Sequence, residues 1–223
     1  MTHVEKFEGE RAQVYERRIG KMIPFYSGIM ELVAIYLLEN TPEKGKILSV
    51  GCGTGADFAK LLEISPDRFS ITGLDPSPEM IGQAQKKFPQ LKFICGTVGE
   101  LPLAEEYDSA TLLFVLHFLP DSGDKFSLLK EICSRLKKGG SLVLFDLFDP
   151  EPNGSKTLFQ NIKSYLINIQ GWEEEAVEIY LKRVFELHRI ESPRYSELFL
   201  EAGFSQSSQK FRSLHVGGWI ATK

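Results

Sequence analysis

Ile47-Leu48-Ser49-Val50-Gly51-Cys52-Gly53-Thr54-Gly55-Ala56 is the segment of this 223-residue chain whose residue types are best suited to chemistry. A short apolar strand runs into a turn with glycine at every second position, and a helix is expected from Ala56. Glycine permits tight turning and lets a ligand approach the backbone closely. The helix that follows offers N–H groups without intrahelical partners. Asp75 follows Gly55 by 20 residues and ends the next expected strand. A carboxylate there can accept both hydroxyls of a ribose. Strand, glycine turn, helix, strand and acid, in that order, describe a site for an adenosine-containing ligand. Gly51-x-Gly53-x-x-Ala56 fits the loose dinucleotide fingerprint, and the same residues also read Gly51-x-Gly53-x-Gly55, so two ligand classes are open at this point.

His117 lies just past the expected carboxyl end of a parallel strand, where ligands bind in open α/β folds. It is the candidate general base, the alternative being a histidine that packs or caps the strand exit. Asp146 and Asp149 could face the same cleft or cap the turn that follows. Arg11, Arg17, Arg18 and Lys21 form a basic run on the first helix and, with Lys182 and Arg183, could meet an anionic substrate; a solvated helix face is the simpler reading. Cys52 reads as a small apolar filler of the turn rather than a nucleophile. The three cysteines form no CxxC pair and no histidine stands at ligand spacing, so no metal site is expected.

The elements that must position these residues follow from pattern. Phe7, Arg11, Val14, Tyr15 and Ile19 recur at helical spacing, and a second helix over 27–38 follows the break at Pro24. From Lys46 strands and helices alternate: strand 47–50, helix 56–63, strand 69–74, helix 78–88 capped by Ser77, strand 91–95 and a buried strand over 107–116. Helix 124–136 is expected to close on Lys137-Lys138-Gly139-Gly140, and strand 141–148 comes next. This rhythm predicts a parallel sheet covered by helices on both faces. After Pro150 it changes. Helices over 155–170 and 173–188 form an insertion, a helix from Ser192 ends at Ala202-Gly203, and residues 206–223 read as two strands meeting near 213–215. The predicted fold is α/β: a Rossmann-like, seven-stranded, mostly parallel sheet with a C-terminal antiparallel hairpin, N-terminal helices and a helical insertion after the fifth strand. It is expected as one domain, with 1–45 as helical cover, 46–150 as cofactor core, 151–191 as insertion, and 192–223 as last helix and hairpin.

Composition bounds the rest. The chain carries 26 Lys+Arg against 30 Asp+Glu, with 43% hydrophobic and 25% charged residues, as an ordinary globular protein does. A net charge of −4 disfavours direct nucleic-acid binding. Residues 1–10 are charged and lack an apolar h-region, so no signal peptide is expected. No apolar run approaches a membrane span. The odd cysteine count suits a reducing cytoplasm.

Five separated motifs resemble the class I S-adenosylmethionine-dependent methyltransferases over roughly residues 47–148. The glycine segment resembles the motif that wraps the methionine moiety, which implies Gly51, Cys52, Gly53 and Gly55 as cofactor-binding. Leu74-Asp75-Pro76-Ser77-Pro78-Glu79-Met80 resembles the ribose motif, implying Asp75, Pro76 and Met80. Cys95-Gly96-Thr97-Val98-Gly99-Glu100-Leu101-Pro102 resembles the motif beside the adenine, implying Thr97 and Val98. Tyr107-Asp108-Ser109-Ala110, leading through Leu113 to Leu116-His117-Phe118-Leu119-Pro120, resembles the fourth strand and its exit, with Leu113 lining the cofactor. Leu136 to Leu142 resembles the turn before the fifth strand. Tyr15 resembles an aromatic lid residue. Ile23-Pro24-Phe25-Tyr26-Ser27, Leu116 to Pro120, Ala202-Gly203-Phe204 and Gly217-Gly218-Trp219-Ile220-Ala221 are similar to segments of the carboxy-S-adenosylmethionine synthases of tRNA wobble-uridine modification, where a tyrosine covers the cofactor; this implies Tyr26. That group needs an arginine for the extra carboxylate, for which Arg183, Arg189 and Arg194 are available. Two departures stand out. Ser49 occupies the place of an acid expected to contact the cofactor's amino group, and Thr97 replaces an Asp.

The resemblance implies an enzyme with S-adenosylmethionine as its cofactor, transferring a methyl group to a small-molecule acceptor. The alternatives are a cofactor-modifying enzyme of the carboxy-S-adenosylmethionine synthase kind and a non-catalytic binding protein. Trp172 and the insertion's apolar face could pack on the sheet or on a second subunit, which keeps a homodimer open.

Overall fold

The computed structural model describes residues 18–103, 107–150 and 156–223. Seven strands form one sheet in the order β3-β2-β1-β4-β5-β7-β6. Strands β1 (Lys46–Val50), β2 (Ser70–Asp75), β3 (Lys92–Cys95), β4 (Tyr107–Leu113) and β5 (Leu136–Leu147) pair in parallel. Strands β6 (Gln206–Ser213) and β7 (Val216–Thr222) form a hairpin, and β7 pairs antiparallel with β5. This is the predicted fold. The strand order reverses between β1 and β4, which places the topological switch beside the glycine turn.

Alternation along the strands builds two cores. Leu48, Val50, Leu112, Leu142 and Leu144 face α4 (Asp124–Arg135) and α7 (Ser192–Ala202), together with Leu129, Ile132, Leu198 and Phe199. Ile47, Val143 and Phe145 face the other side, against α1 (Tyr26–Asn40) and α2 (Ala56–Ile64), with Ile29, Val33, Leu37, Phe58 and Leu61. Side chains of a strand point alternately to opposite faces, so a sheet covered on both sides needs apolar residues at nearly every position. Helix α3 (Pro78–Lys87) starts as its sequence predicts: the Met80 N–H donates to Ser77 Oγ at 3.3 Å, and Pro78 occupies the first turn.

The insertion has its own small core. Helices α5 (Lys156–Ser164) and α6 (Glu174–Glu186) bury Leu158, Ile162, Leu166, Val177, Leu181 and Val184, with Met22 and Leu214 packed against them. Leu214 lies in the β6–β7 turn, at the carboxyl end of β5. The insertion therefore sits over that end of the sheet. Trp172 packs edge-on to Tyr180 within it, ring centroids 5.6 Å apart.

Three boundaries differ from expectation. The segment Lys137-Lys138-Gly139-Gly140 does not cap α4; the helix stops at Arg135 and β5 begins at once with Leu136. Tertiary pairing overrides the local cap signal. Gly139 N–H donates to Lys223 O and Lys223 N–H to Gly140 O, both at 2.9 Å, which draws the glycines into the sheet as an irregularity. Strand β4 ends at Leu113 rather than Leu116, because Phe114 adopts a left-handed backbone (φ 57°) and a 3-10 turn follows at Leu116–Phe118. The first insertion helix ends as an α-helix at Ser164 and continues as a π-helical turn over Tyr165–Ile169. Among the described residues no helix is long and apolar enough to cross a membrane.

Trp219 is the largest fully buried side chain. It stacks on Tyr195 at 4.1 Å between centroids and meets Phe148 edge-on at 5.7 Å. Replacing it with alanine removes the contact that joins β7, α7 and the end of β5. Trp219→Ala is expected to lower unfolding free energy by about 3–5 kcal/mol, measured by urea denaturation.

Candidate active site

The glycine turn is built by backbone conformations that only glycine adopts cheaply. Gly51, Gly53 and Gly55 have φ of 65°, 51° and 86°. They differ in their surroundings. A Cβ at Gly51 would lie 2.6 Å from Val115 Cγ2, and one at Gly55 would strike Phe58 and Phe88, whereas one at Gly53 would meet nothing within 4 Å. Gly51 and Gly55 are thus closed in by protein. Gly53 faces open space, as a backbone approached by a ligand must.

Asp75 ties this turn to the next. Its Oδ2 accepts from Gly53 N–H at 3.0 Å and its Oδ1 from Ser77 N–H at 2.8 Å. Burial raises its pKa and the two N–H groups oppose that rise. Each oxygen keeps a lone pair for a hydroxyl. Gly96 N–H donates to Asp75 O, which brings the third motif alongside. There Thr97 N–H and Thr97 Oγ1 both donate to Glu100 Oε2, fixing the Val98–Glu100 turn and leaving the Thr97 hydroxyl able to accept. Val98 and Met80 are buried, while Pro76 and Thr97 are exposed. Leu113 is half-buried at the end of β4. Tyr26 begins α1 and packs against Phe114, centroids 6.3 Å apart, so the structure brings it to the same end of the sheet. Tyr15, Arg11 and Arg17 lie outside the described residues.

Asp57 is a site residue that sequence reasoning missed. It stands in the first turn of α2, where an acid reads simply as complementing the helix dipole. Its carboxylate turns inward instead. Oδ2 accepts from Ser49 Oγ at 2.5 Å and from Thr111 Oγ1 at 2.6 Å, while Oδ1 is buried without a partner. Burial raises its pKa, opposed by the two hydroxyls. A carboxylate is therefore present next to Ser49 after all, delivered from the helix. Burial, and then the charges of Asp57 and Asp75, push the Cys52 thiol far up, so Cys52 is the inert filler its sequence suggested.

Across the switch point lies a second constellation. His117 is 4% exposed, and its Nδ1 lies 2.5 Å from Asp146 Oδ1. A carboxylate only accepts, so Nδ1 carries a hydrogen, and in the neutral ring the lone pair is then on Nε2. The other oxygen, Asp146 Oδ2, accepts from Tyr195 OH at 2.6 Å. Buried Lys125 donates to Leu116 O and, at 2.8 Å, to His188 O, and His188 N–H donates to His117 O. These bonds thread residues 188–191 past the ends of β4 and β5. The arginines considered above separate here. Arg183 is exposed, Arg194 pairs with Asp121, Glu197 and Glu201, and Arg189 is buried near Asp149. Arg18, Lys21 and Lys182 are solvent-exposed.

Comparison with known proteins agrees with this geometry. Residues 47–140 match the family described as methyltransferase domain. A carboxy-S-adenosyl-L-methionine synthase of Haemophilus ducreyi is 24% identical over 100% of this chain and 96% of its own. A demethylmenaquinone methyltransferase of Bacillus licheniformis is 33% identical, over 55% of this chain and 53% of its own. The plantazolicin methyltransferase BpumL, solved in complex with SAH, superposes with a TM-score of 0.67 at 15% identity, covering 96% of this chain and 91% of that one. Residues 47–140 are thus similar to methyltransferase domains, and the sheet order and the glycine turn agree with that similarity.

Proposed function

We propose that the protein is an S-adenosylmethionine-dependent methyltransferase that acts on a small-molecule acceptor by in-line displacement. The observation that carries this reading is one of placement. A glycine turn whose Gly53 faces open space and a His117–Asp146 pair stand at the same end of the sheet, on either side of the switch between β1 and β4. Bound S-adenosylmethionine supplies a methyl group on a sulfonium that needs no further activation.

The chain's residues then have separate tasks. Backbone at Gly51, Cys52, Gly53 and Gly55 holds the methionine moiety, and the free lone pairs of Asp75 take the ribose hydroxyls. Pro76, Met80, Thr97, Val98 and Leu113 border the adenosine, with Tyr26 and Tyr15 as cover. The buried carboxylate of Asp57, held by Ser49 and Thr111, favours the ammonium of the methionine moiety through its charge. His117 Nε2 removes the acceptor's proton, and Asp146 stabilises the imidazolium that results. The insertion limits access of water to that end.

A second reading, a cofactor-modifying enzyme of the carboxy-S-adenosylmethionine synthase kind, is favoured by one observation. The similarity to those synthases runs the length of both chains, whereas the similarity to the demethylmenaquinone methyltransferase covers 55% of this one. Mass analysis of the nucleotide formed from S-adenosylmethionine separates the two: with a decarboxylating donor that supplies CO2, a carboxymethyl sulfonium product, whose methyl has exchanged one proton for the carboxylate, supports the second reading, and S-adenosylhomocysteine formed with a methyl acceptor supports the first. The third reading, a non-catalytic binding protein, rested on Ser49 and Thr97; the carboxylate of Asp57 beside Ser49 weighs against it.

Isothermal titration with S-adenosylhomocysteine tests the cofactor half, and no binding at millimolar ligand removes both enzyme readings. Gly53→Ala is expected to fold, at a cost of about 1–2 kcal/mol for the left-handed backbone, and to bind S-adenosylhomocysteine at least tenfold more weakly. Asp57→Asn is expected to weaken S-adenosylhomocysteine while leaving 5′-methylthioadenosine, which lacks the amino group, unaffected. Its stability also has a signed pH dependence. The folded-state pKa of Asp57 is raised above the ordinary value near 4, so the unfolded chain releases this proton first. Wild type therefore loses stability relative to Asp57→Asn as pH rises through the interval between the two values. Thermal melts from pH 4 upward check the slope. His117→Gln should retain cofactor affinity while turnover of an identified acceptor falls by roughly 10²–10⁴.

A further inference from the structure

Tyr195 carries a buried hydroxyl to which the machinery above gives no task. The residue has no solvent exposure, and its ring stacks on Trp219 at 4.1 Å between centroids, with the planes 16° apart. It stands near the start of α7, which Phe199 and Phe204, edge-on to each other at 5.6 Å, also anchor in the core. The hydroxyl has one hydrogen and two acceptors. Asp146 Oδ2 lies at 2.6 Å and Leu147 O at 3.5 Å, so the hydrogen goes to the carboxylate. Burial first, and then the charge of Asp146, hold the Tyr195 pKa well above its ordinary value. The hydroxyl therefore keeps its proton and acts toward Asp146 only as a donor.

Asp146 needs such a donor. The torsion that turns a carboxylate is broad and roughly two-fold, so the side chain does not choose an orientation by itself. Its Oδ1 accepts from the His117 ring at 2.5 Å and, more weakly, from His117 N–H at 3.4 Å. Both of those bonds lead back to the residue that has to be held. The second oxygen supplies the outside reference. Order passes from the stacked Tyr195–Trp219 pair to the hydroxyl, then to the carboxylate, then to His117 Nδ1.

The other neighbours act differently. Phe118 lies against the imidazole at 4.2 Å between centroids, but a ring face does not select which nitrogen carries the hydrogen. Lys125 on α4 feels the charge of Asp146, yet it donates to Leu116 O and His188 O. Arg189 and Asp121 act on Tyr195 through charge, and His117 acts on His215 in the same way.

We propose that Tyr195 is a positioning residue: its hydroxyl holds Asp146 so that His117 keeps a hydrogen on Nδ1 and presents the Nε2 lone pair to the acceptor. The tautomer of a histidine follows the hydrogen bond made by its other nitrogen. Where Asp146 is free to turn, that bond is lost for part of the time and the Nε2–H form gains population. The Nε2–H form has no lone pair with which to take the acceptor's proton. The proposal deepens the methyltransferase reading and rests on its assignment of His117 as the base.

The test reads the tautomer directly. The full chain, labelled with 15N-histidine, is studied by NMR at about pH 9, well above the ordinary imidazole range. The His117 signals are assigned by their loss in His117→Gln. Wild type is expected to carry the hydrogen on Nδ1. Tyr195→Phe removes one oxygen and leaves the ring on Trp219, so it is expected to fold. In it the share of the Nε2–H form should rise roughly tenfold or more, as the loss of one charge-assisted hydrogen bond implies. Phe204→Leu loosens the packing around α7 without touching the hydroxyl, and its tautomer should match wild type. An unchanged tautomer in Tyr195→Phe overturns the proposal. So does an equal shift in Phe204→Leu, which marks a general loosening, and so does a wild type with its hydrogen on Nε2. S-adenosylhomocysteine affinity, measured by calorimetry, should be equal in wild type and Tyr195→Phe, because the glycine turn lies on the other side of the switch. Absence of that binding in wild type overturns the methyltransferase reading instead; the tautomer measurement needs no cofactor.

Discussion

Asp146 is the constraint on which one half of this molecule depends. Its carboxylate has no exposure to solvent, and its two oxygens go to two different places. One takes His117, on the turn after β4, and the other takes the Tyr195 hydroxyl on α7. Tyr195 in turn stacks on Trp219 of β7. A single buried charge therefore fixes the β4 exit, the final helix and the antiparallel strand relative to β5. Losing either partner would leave a buried carboxylate oxygen unsatisfied, which is costly in a low-dielectric interior. The arrangement also sets the imidazole tautomer, so positioning and proton chemistry share one interaction.

The other half is organised by backbone. Around the glycine turn the hydrogen bonds run from main-chain N–H groups to Asp75 and from Cys52 N–H to Leu74 O. Side chains there mainly fill space: Val115 closes the turn at Gly51, and Phe58 and Phe88 close it at Gly55, while Gly53 stays open. The two halves meet at β1 and β4, the strands where the sheet changes winding direction. Asp57 lies at that seam, accepting from Ser49 of β1 and Thr111 of β4. It couples the floor of the glycine turn to the strand that delivers His117.

The legible parts of this fold are those governed by local rules. Ser77 caps α3 as expected because an N-cap uses atoms three residues apart. The glycine turn and Asp75 were readable because their spacing is fixed by one strand, one helix and the next strand. The seven strands and their hairpin were readable from alternation and apolar runs. What escaped was set by contacts across the sheet. Gly139 and Gly140 were diverted from a helix cap by pairing with Lys223, 83 residues beyond Gly140. Asp57 does not stand out in the sequence because nothing local reports that Ser49 and Thr111 both point at it. Arg189 could be named as a candidate but not chosen over Arg183 and Arg194, since its distinction is a side chain buried against Phe185 and Asp149.

That distinction explains why the two halves differ in how much local pattern reveals. The turn beside the nucleotide half is one continuous segment, so its chemistry survives in sequence order. The opposite side is assembled from the β4 exit, residues 188–191 and the turn at 214–216, held together by Lys125, Asp146 and the pairing of Phe148 and Asp149 with their neighbours. The order of these segments along the chain carries no information about their proximity. Arg189 follows the insertion helix α6 directly, and His215 sits on a turn with Leu214 against that same insertion. Changes in the insertion would thus alter that end of the sheet while leaving the glycine turn in place, which is how one scaffold can keep its cofactor and vary what it acts upon.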